Sequence, residues 1–287
     1  MNGTALILGC GYVGCRVARR LLDRGLLVHA TSRDPAALAA LAASGAVAHE
    51  VDVRRPAHLV AVAALARQLP GVRVLHSIPP VDEEGTAGEP TPQLVEALAG
   101  APARLVYLST TGVYGDAAVV DETTPAAPRT KQGRLRLLAE EAAASGPWAT
   151  LCLRLAAIYG PGRGVHQAVR EGRFRAVGAG RHVVSRIHVD DLSTLVAAAL
   201  LADLTGAFPV ADDEPAPSHE VAALAARLLD RPLPAPGTAP THETLAGDRR
   251  VDGGAIRRLL GVTLQYPSYR VGIPAVLAAE GREPRRG

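Results

Sequence analysis

Residues 6–22 read LILGCGYVGCRVARRLL, and the reading of this stretch decides the fold. TALILG (4–9) reads as a strand. Beyond it, Val17, Leu21 and Leu22 recur at helical spacing, and Gly25 marks the end of that helix. Between strand and helix stand Gly9, Gly11 and Gly14, spaced as G-x-G-x-x-G. In such a turn the first glycine permits the tight bend, the second lets backbone approach a pyrophosphate, and the third lets helix and strand pack closely. The backbone at Tyr12 and Val13, with the positive end of the helix dipole, then suits phosphate oxygens. A glycine-rich turn without a ligand is the alternative. Its place between a strand and a helix, at the head of a βαβ series, argues for a dinucleotide.

Outward from this turn, LLVHAT (26–31), AVAHEV (46–51), VRVLHSI (72–78) and RLVYLS (104–109) read as further strands. Helical patterns separate them: one opened by the cap Asp34 and Pro35, one at 56–69, one opening at Thr91-Pro92. Short strands alternating with helices predict a parallel sheet with crossover helices. PPVDEEGTAGEP (79–90) reads as a long acidic loop over a site. The second half carries a helix over 129–141, strand ATLCLRL (149–155), an irregular IYGPGRG and a strand-like RIHV. Helix DDLSTLVAAALLA, strand AFPVADD and helix HEVAALAARLLD follow, then a proline-rich connection at 231–240 and short helices around 252–260 and 270–280. The expected architecture is α/β: a Rossmann-like doubly wound parallel sheet at 1–155, and a smaller C-terminal substrate lobe at 156–287 whose chain crosses back into the main sheet.

The second strand ends His29-Ala30-Thr31-Ser32-Arg33, with no acid at its tip. An NAD site places an acid there for the ribose 2′-hydroxyl, and an NADP site an arginine nearby for the 2′-phosphate. Ser32 and Arg33 therefore favour NADP over NAD, while Asp34 reads as a helix cap. Asp52-Val53 stands where an adenine edge is often met, or is a further cap before Pro56. Ser77, closing the fourth strand, completes the expected cofactor set.

Composition narrows the function classes. The formal charge is +3, and arginine pairs such as Arg19-Arg20 and Arg257-Arg258 are scattered, which argues against a nucleic-acid groove. A single lysine, Lys131, stands among 31 basic residues and does not follow a glycine, so there is no Walker A loop. No G-x-S-x-G or H-E-x-x-H occurs. Cys10, Cys15 and Cys152 form no zinc pattern, and no metal is expected; Cys10 and Cys152 read as buried reduced thiols. No signal peptide opens the chain and no apolar run reaches membrane-spanning length. The expectation is a cytoplasmic protein with a small-molecule substrate and neither nucleic acid nor membrane as partner.

YLSTTGVYGD (107–116), LRLAAIYGPGRG (153–164) and RIHVDDLS (186–193) follow the glycine turn in an order that resembles the extended short-chain dehydrogenases/reductases of the NAD-dependent epimerase/dehydratase type. The resemblance covers nearly the whole chain. It implies that Thr110 is the catalytic Ser/Thr, and that the next helix carries a Tyr and a Lys with three residues between them. In that family the Tyr exchanges a proton with the reacting oxygen, while the Lys holds the ribose and lowers the Tyr pKa. This chain departs from the pattern. Aligned on Ala139-Glu140, the Tyr position is Gln132 and the Lys position is Arg136. No tyrosine lies between Tyr114 and Tyr159, and Ala127 occupies the place from which a Tyr would pair with Lys131. Lys131 thus reads as a surface lysine. Arg136 keeps donors for a ribose but releases no proton near neutrality, and Gln132 orients without titrating. The chain resembles the atypical members that keep the fold and lose the Tyr/Lys pair.

A proton donor must then come from elsewhere. Tyr114 and Tyr159 follow the fifth and sixth strands, and Tyr159 joins Thr110, Gln132 and Arg136 as a catalytic candidate. His166 reads as a cap or surface residue, His188 as structural, and Asp190-Asp191 as the start of a helix. Two functions stay open. One is an NADP(H)-linked oxidoreductase or isomerase of a small hydroxyl or carbonyl compound, sugar-type compounds included. The other is a non-catalytic NADP(H) sensor or scaffold, whose redox states would have to bind unequally. The family also implies a homodimer through the helix at 132–145.

Overall fold

The computed structural model describes residues 3–83, 86–174, 182–233 and 248–281. Most of the expected proline-rich connection, from 234 on, lies outside the described residues, as does the end of the chain from 282. In chain order the elements are β1 (Thr4–Leu8), α1 (Gly14–Asp23), β2 (Leu27–Ser32), α2 (Pro35–Ala43), β3 (Val47–Glu50), α3 (Pro56–Arg67), β4 (Val72–His76), β5 (Val81–Glu83), β6 (Thr86–Gly88), α4 (Thr91–Leu98) and β7 (Pro102–Thr110). A 3-10 turn (Thr111–Tyr114) leads to β8 (Val119–Val120), α5 (Lys131–Ala144), β9 (Ala149–Leu155), β10 (Ala157–Tyr159), α6 (Val165–Arg170), β11 (Val183–Val184), β12 (Arg186–His188) and α7 (Val189–Leu201). The chain continues through β13 (Gly206–Val210), β14 (Ala216–Pro217), α8 (Ser218–Leu229), β15 (Arg250–Val251), α9 (Gly254–Leu260) and α10 (Tyr269–Ala279).

Two compact units result. The first takes Met1–Val113, Pro128–Arg154 and Ser193–Ala207; the second takes Tyr114–Ala127, Leu155–Leu192 and Phe208–Gly287. The main sheet has the order β13-β9-β7-β4-β1-β2-β3, with β1 running parallel to both β2 and β4, β2 to β3, and β4 to β7. This is the expected Rossmann-like α/β sheet. Ala5, Leu6, Ile7 and Leu8 are all fully buried, so β1 is covered on both faces, and its unbroken apolar run follows from that. Helices α1 and α2 touch one another, and α3, α4 and α5 pack in succession, as a doubly wound sheet requires. The core under α3–α5 joins Leu6, Leu8, Val74, Leu105, Tyr107 and Trp148.

Local signals set the helix ends. Asp34 Oδ1 accepts from the Ala36 N–H at 2.9 Å, with Pro35 opening α2. Thr130 Oγ1 caps α5 by accepting from the Gly133 N–H at 3.0 Å. Gly25, just past α1, takes a φ of 76°, a left-handed conformation open to glycine without strain.

The second unit is built around Tyr159, Ala216, Val221, Tyr269, Ile273 and Leu277. Its strands are short: β10 pairs with β12, β11 with β14, and β15 with β8. Strands of two or three residues are too brief for alternation to register in sequence, and IYGPGRG accordingly read as irregular. The same reason corrects the segment at 79–90, which holds the antiparallel pair β5–β6 instead of a plain loop. No helix among the described residues is long and apolar enough to cross a membrane.

Candidate cofactor and active site

The sheet order reverses at β1, whose neighbours β2 and β4 lead away in opposite directions. The glycine turn sits at this switch point. Thr31 flanks it on one side, its Oγ1 accepting from the Gly9 N–H at 3.1 Å and its carbonyl from the Cys10 N–H at 2.6 Å. Ser77 flanks it on the other, its N–H donating to the Leu8 carbonyl at 2.9 Å. Gly9 has a φ of 96°, and a Cβ there would come within 2.8 Å of Ile78 Cγ1. A Cβ on Gly14 would strike the Gly9 carbonyl oxygen and meet Ile7 Cγ2 at 3.4 Å. Over Gly11, by contrast, nothing among the described residues lies within 4 Å of an added Cβ. The turn is therefore closed where strand and helix touch and open at its middle glycine. α1 begins at Val13 with no side-chain cap and no acid in its first turn. This geometry fits a pyrophosphate seated at a helix N-terminus. Tyr12 contributes its carbonyl to Arg16 at 2.7 Å, and the Arg16 guanidinium stacks 4.3 Å from the Tyr12 ring.

At the tip of β2, Ser32 is half-buried and accepts from the Asp34 N–H at 3.1 Å, while Arg33 is exposed. The Asp34 carboxylate caps α2 through Oδ1. Asp52 is gripped by Arg54 through contacts of 2.6–3.2 Å, and this grip holds its carboxyl far below the usual range. Val53 is buried.

The catalytic candidates divide between the units. Thr110 closes β7 and accepts from the Gly112 N–H at 3.1 Å. Gly133 lets the first turn of α5 approach this loop, since a Cβ there would lie 2.8 Å from the Gly112 carbonyl. Gln132 and Lys131 are exposed. Arg136 is half-buried, and its Nη1 donates to the Tyr107 hydroxyl at 2.8 Å. One turn on, buried Glu140 accepts from Ser109 Oγ at 2.5 Å and from both Arg154 donors at 2.8–3.2 Å. Tyr107 and Ser109 share a face of β7, so two α5 residues four apart reach two strand residues two apart.

Tyr159 belongs to the second unit. Its hydroxyl donates to the Ser268 carbonyl at 3.3 Å, its ring meets His188 edge-on at 5.1 Å, and burial raises its pKa. His188 accepts from the Asp190 N–H at 3.2 Å, Asp191 accepts from the N–H groups of Gln265 and Tyr266 at 2.8 and 2.9 Å, and both acids lie in the first turn of α7. His166, expected as a cap or at the surface, is instead buried in α6, 3.7 Å from Glu280.

One polar chain in the first unit escaped the sequence reading. His76, fully buried at the end of β4, accepts from the Ile78 N–H at Nδ1 (3.3 Å), which leaves Nε2 to donate to Thr91 Oγ1 at 2.8 Å. Thr91 in turn donates to Glu89 Oε1 from its hydroxyl at 2.5 Å and its N–H at 3.0 Å. Glu89 Oε2 is buried with no hydrogen-bond partner among the described residues. Burial raises the Glu89 pKa against the opposing charge of Arg136. Glu89 lies within the acidic stretch 79–90, and no local pattern signals that Thr91 links it to His76.

Residues 5–209 match the sequence pattern described as the NAD dependent epimerase/dehydratase family. The chain belongs to this family. Among its relatives is a 3-diazoavenalumate denitrifying reductase from a Streptomyces species, 32% identical, the match covering 92% of this chain and 96% of the relative. Among solved structures, a conserved protein of unknown function from Silicibacter pomeroyi superposes with a TM-score of 0.81 at 36% identity, covering 97% of this chain and 99% of the other. The WbmG enzyme of Bordetella bronchiseptica, solved in complex with NAD, shares the fold with a TM-score of 0.80 at 19% identity, over 97% and 94% of the two chains.

Proposed function

We propose that this family member is an NADP(H)-dependent oxidoreductase or isomerase of a small hydroxyl or carbonyl compound, sugar-type compounds included, which works without the Tyr/Lys pair. The observation that carries the reading is the glycine turn, open over Gly11 at the switch point of the sheet. The backbone of Gly9, Gly11, Tyr12, Val13 and Gly14 takes the pyrophosphate. Ser32 and Arg33 take the 2′-phosphate, Asp52 and Val53 present their backbone to the adenine, and Ser77 lines the turn opposite Thr31. When bound, the dinucleotide supplies or accepts the hydride. The first unit holds the cofactor, and the second is assigned to the substrate. A relative named as a reductase supports redox chemistry.

Within the first unit, Thr110 holds the substrate oxygen, Gln132 orients it, and Arg136 supplies positive charge and donors for a ribose. Neither Thr110 nor Gln132 carries an acid or base that titrates near neutrality. Glu89, with one oxygen anchored by Thr91 and the other unpartnered, is the group suited to hold or release a proton. Tyr159 stays a candidate from the second unit. The homodimer through α5 is part of the same proposal.

Calorimetric titration of the cofactor-stripped protein with NADP⁺, NADPH, NAD⁺ and NADH is the test. Tighter binding of the NADP(H) pair, with similar affinities for its two redox states, supports the reading and justifies a screen of carbonyl substrates. Tighter binding of NAD(H) overturns the assignment of Ser32 and Arg33. A strong preference for one redox state without turnover of any carbonyl compound favours a sensor, and binding of none of the four removes the reading altogether. Sedimentation at several concentrations reads the dimer.

A further inference from the structure

Two of the three cysteines stand inside the glycine turn. Cys10 lies between Gly9 and Gly11, and Cys15 directly follows Gly14 as the second residue of α1. The Cys15 Sγ donates to the Cys10 carbonyl at 3.1 Å, which sets the Cys15 thiol against the residue that bears the second thiol. Backbone contacts hold them there: the Cys10 N–H donates to Thr31 at 2.6 Å, the Gly11 N–H to Gly9 at 2.9 Å, and the Cys15 N–H to Gly11 at 3.1 Å. Their surroundings differ. Cys10 is buried, while Cys15 is partly open to solvent. The hydrogen bond from Cys10, then the charges of Arg19 and Arg16, lower the Cys15 pKa to about 7, whereas the Cys15 contact and burial push Cys10 up. Cys152 is buried in the core, and burial pushes its thiol up to about 12. One cysteine of the three is thus partly open to solvent and in contact with the backbone of a second, which is the arrangement of an oxidisable pair.

We propose that Cys10 and Cys15 form a dithiol modification site in the glycine turn, which a hydroperoxide oxidises to a disulfide and which in that state excludes the dinucleotide. The exclusion rests on the cofactor reading given above; the dithiol does not. The Cys15 thiolate attacks one peroxide oxygen, the O–O bond breaks, and the departing oxygen leaves as hydroxide or alkoxide and takes a proton. Cys15 is then a sulfenic acid. The Cys10 sulfur attacks it, the S–S bond forms, and the hydroxyl leaves as water with the Cys10 proton. The two sulfurs together lose two electrons, which reduce the peroxide. An S–S bond of about 2.05 Å is far shorter than any thiol–thiol hydrogen bond, so closure draws the first turn of α1 onto the loop floor and reshapes the opening over Gly11. Linkage makes the effect reciprocal: a dinucleotide that binds only the dithiol form protects it from oxidation.

The experiment uses the full chain, treated with hydrogen peroxide or left untreated, alkylated, and mapped by mass spectrometry, with NADPH affinity measured on both forms. The expected result is a Cys10–Cys15 crosslink, Cys152 alkylated throughout, and an affinity reduced by about tenfold or more that returns on treatment with dithiothreitol. NADPH present during oxidation slows the crosslink. Cys10→Ser and Cys15→Ser each abolish the response of affinity to peroxide. A Cys15 that reacts no faster than Cys152, or that stops at a sulfenic or higher acid without Cys10, overturns the dithiol. A crosslink with unchanged affinity overturns the exclusion. If the untreated protein binds no dinucleotide, the function proposed above fails and the exclusion with it, while the crosslink still decides the dithiol.

Discussion

A Cβ added at Gly14 meets the Gly9 carbonyl and Ile7, whereas one added at Gly11 meets nothing within 4 Å. The two glycines therefore separate packing from binding. Gly14→Ala forces helix and strand apart and costs about 1–3 kcal/mol, read as a lowered Tm. Gly11→Ala leaves Tm unchanged but places a methyl group where the pyrophosphate approaches, so calorimetry detects loss of NADPH binding. Wild-type affinity in Gly11→Ala would mean the phosphates lie elsewhere. At the same scale, burial and then the Arg136 charge hold His76 down to about 3 from its ordinary 6.5. Between those values the unfolded chain binds a proton that the folded protein does not. Stability is thus full above pH 6.5 and falls as the pH drops, by about 2 kcal/mol at pH 5. His76→Gln removes this dependence; urea unfolding of both proteins at pH 5 and pH 8 gives the two slopes. Equal slopes would show that His76 is not held neutral.

For α5, the docking onto the sheet depends on a buried charge cluster. Glu140→Ala strips Arg154 of its carboxylate partner in a site where that guanidinium is only 11% exposed, and costs about 3–5 kcal/mol. Glu140→Gln still accepts from Ser109 and costs less. Denaturant unfolding orders the two variants, and the reverse order would place the weight on the hydrogen bond instead of the charge. The helix and the exposure of Lys131 were legible in sequence, because a fourteen-residue helix carries many independent signals. Its partners on β7 were not. Tyr107 hides in the apolar run LVYL, and nothing local says that its hydroxyl meets Arg136. Glu89 was hidden differently, since acids and prolines around a three-residue strand look like any loop. Periodicity reveals elements long enough to repeat; it does not reveal which polar tips converge across them.

On the scale of the whole molecule, the sequence located the parallel sheet and the glycine turn at its centre, and it read two stretches, the second crossing back into the main sheet. The structure interleaves them. The first unit recruits Ser193–Ala207, and the second takes back Tyr114–Ala127. Hydrophobic pattern marks α7 and β13 as elements, and long-range assembly alone decides where they go. The recruitment is not marginal. Leu195, Val196, Ala197, Ala199 and Leu200 are fully buried, and Arg104, itself only 6% exposed, donates to the Leu204 carbonyl at 2.5 Å and pairs with Asp203 at 3.4 Å. A fragment ending at Leu155 therefore lacks apolar surface that the first unit is built to bury and leaves the Arg104 guanidinium without its carbonyl acceptor. Exposing several fully buried side chains, at roughly 1.5–3 kcal/mol for each large one, approaches the whole stability of a domain of this size. The expected outcome for residues 1–155 is a chain with helical circular dichroism but no cooperative thermal transition and no NADPH binding, while the full chain melts cooperatively and gains stability from NADPH. A sharp, two-state melt of the fragment would show that the sheet stands without α7 and β13, and that the substrate-side residues were added to a domain already complete.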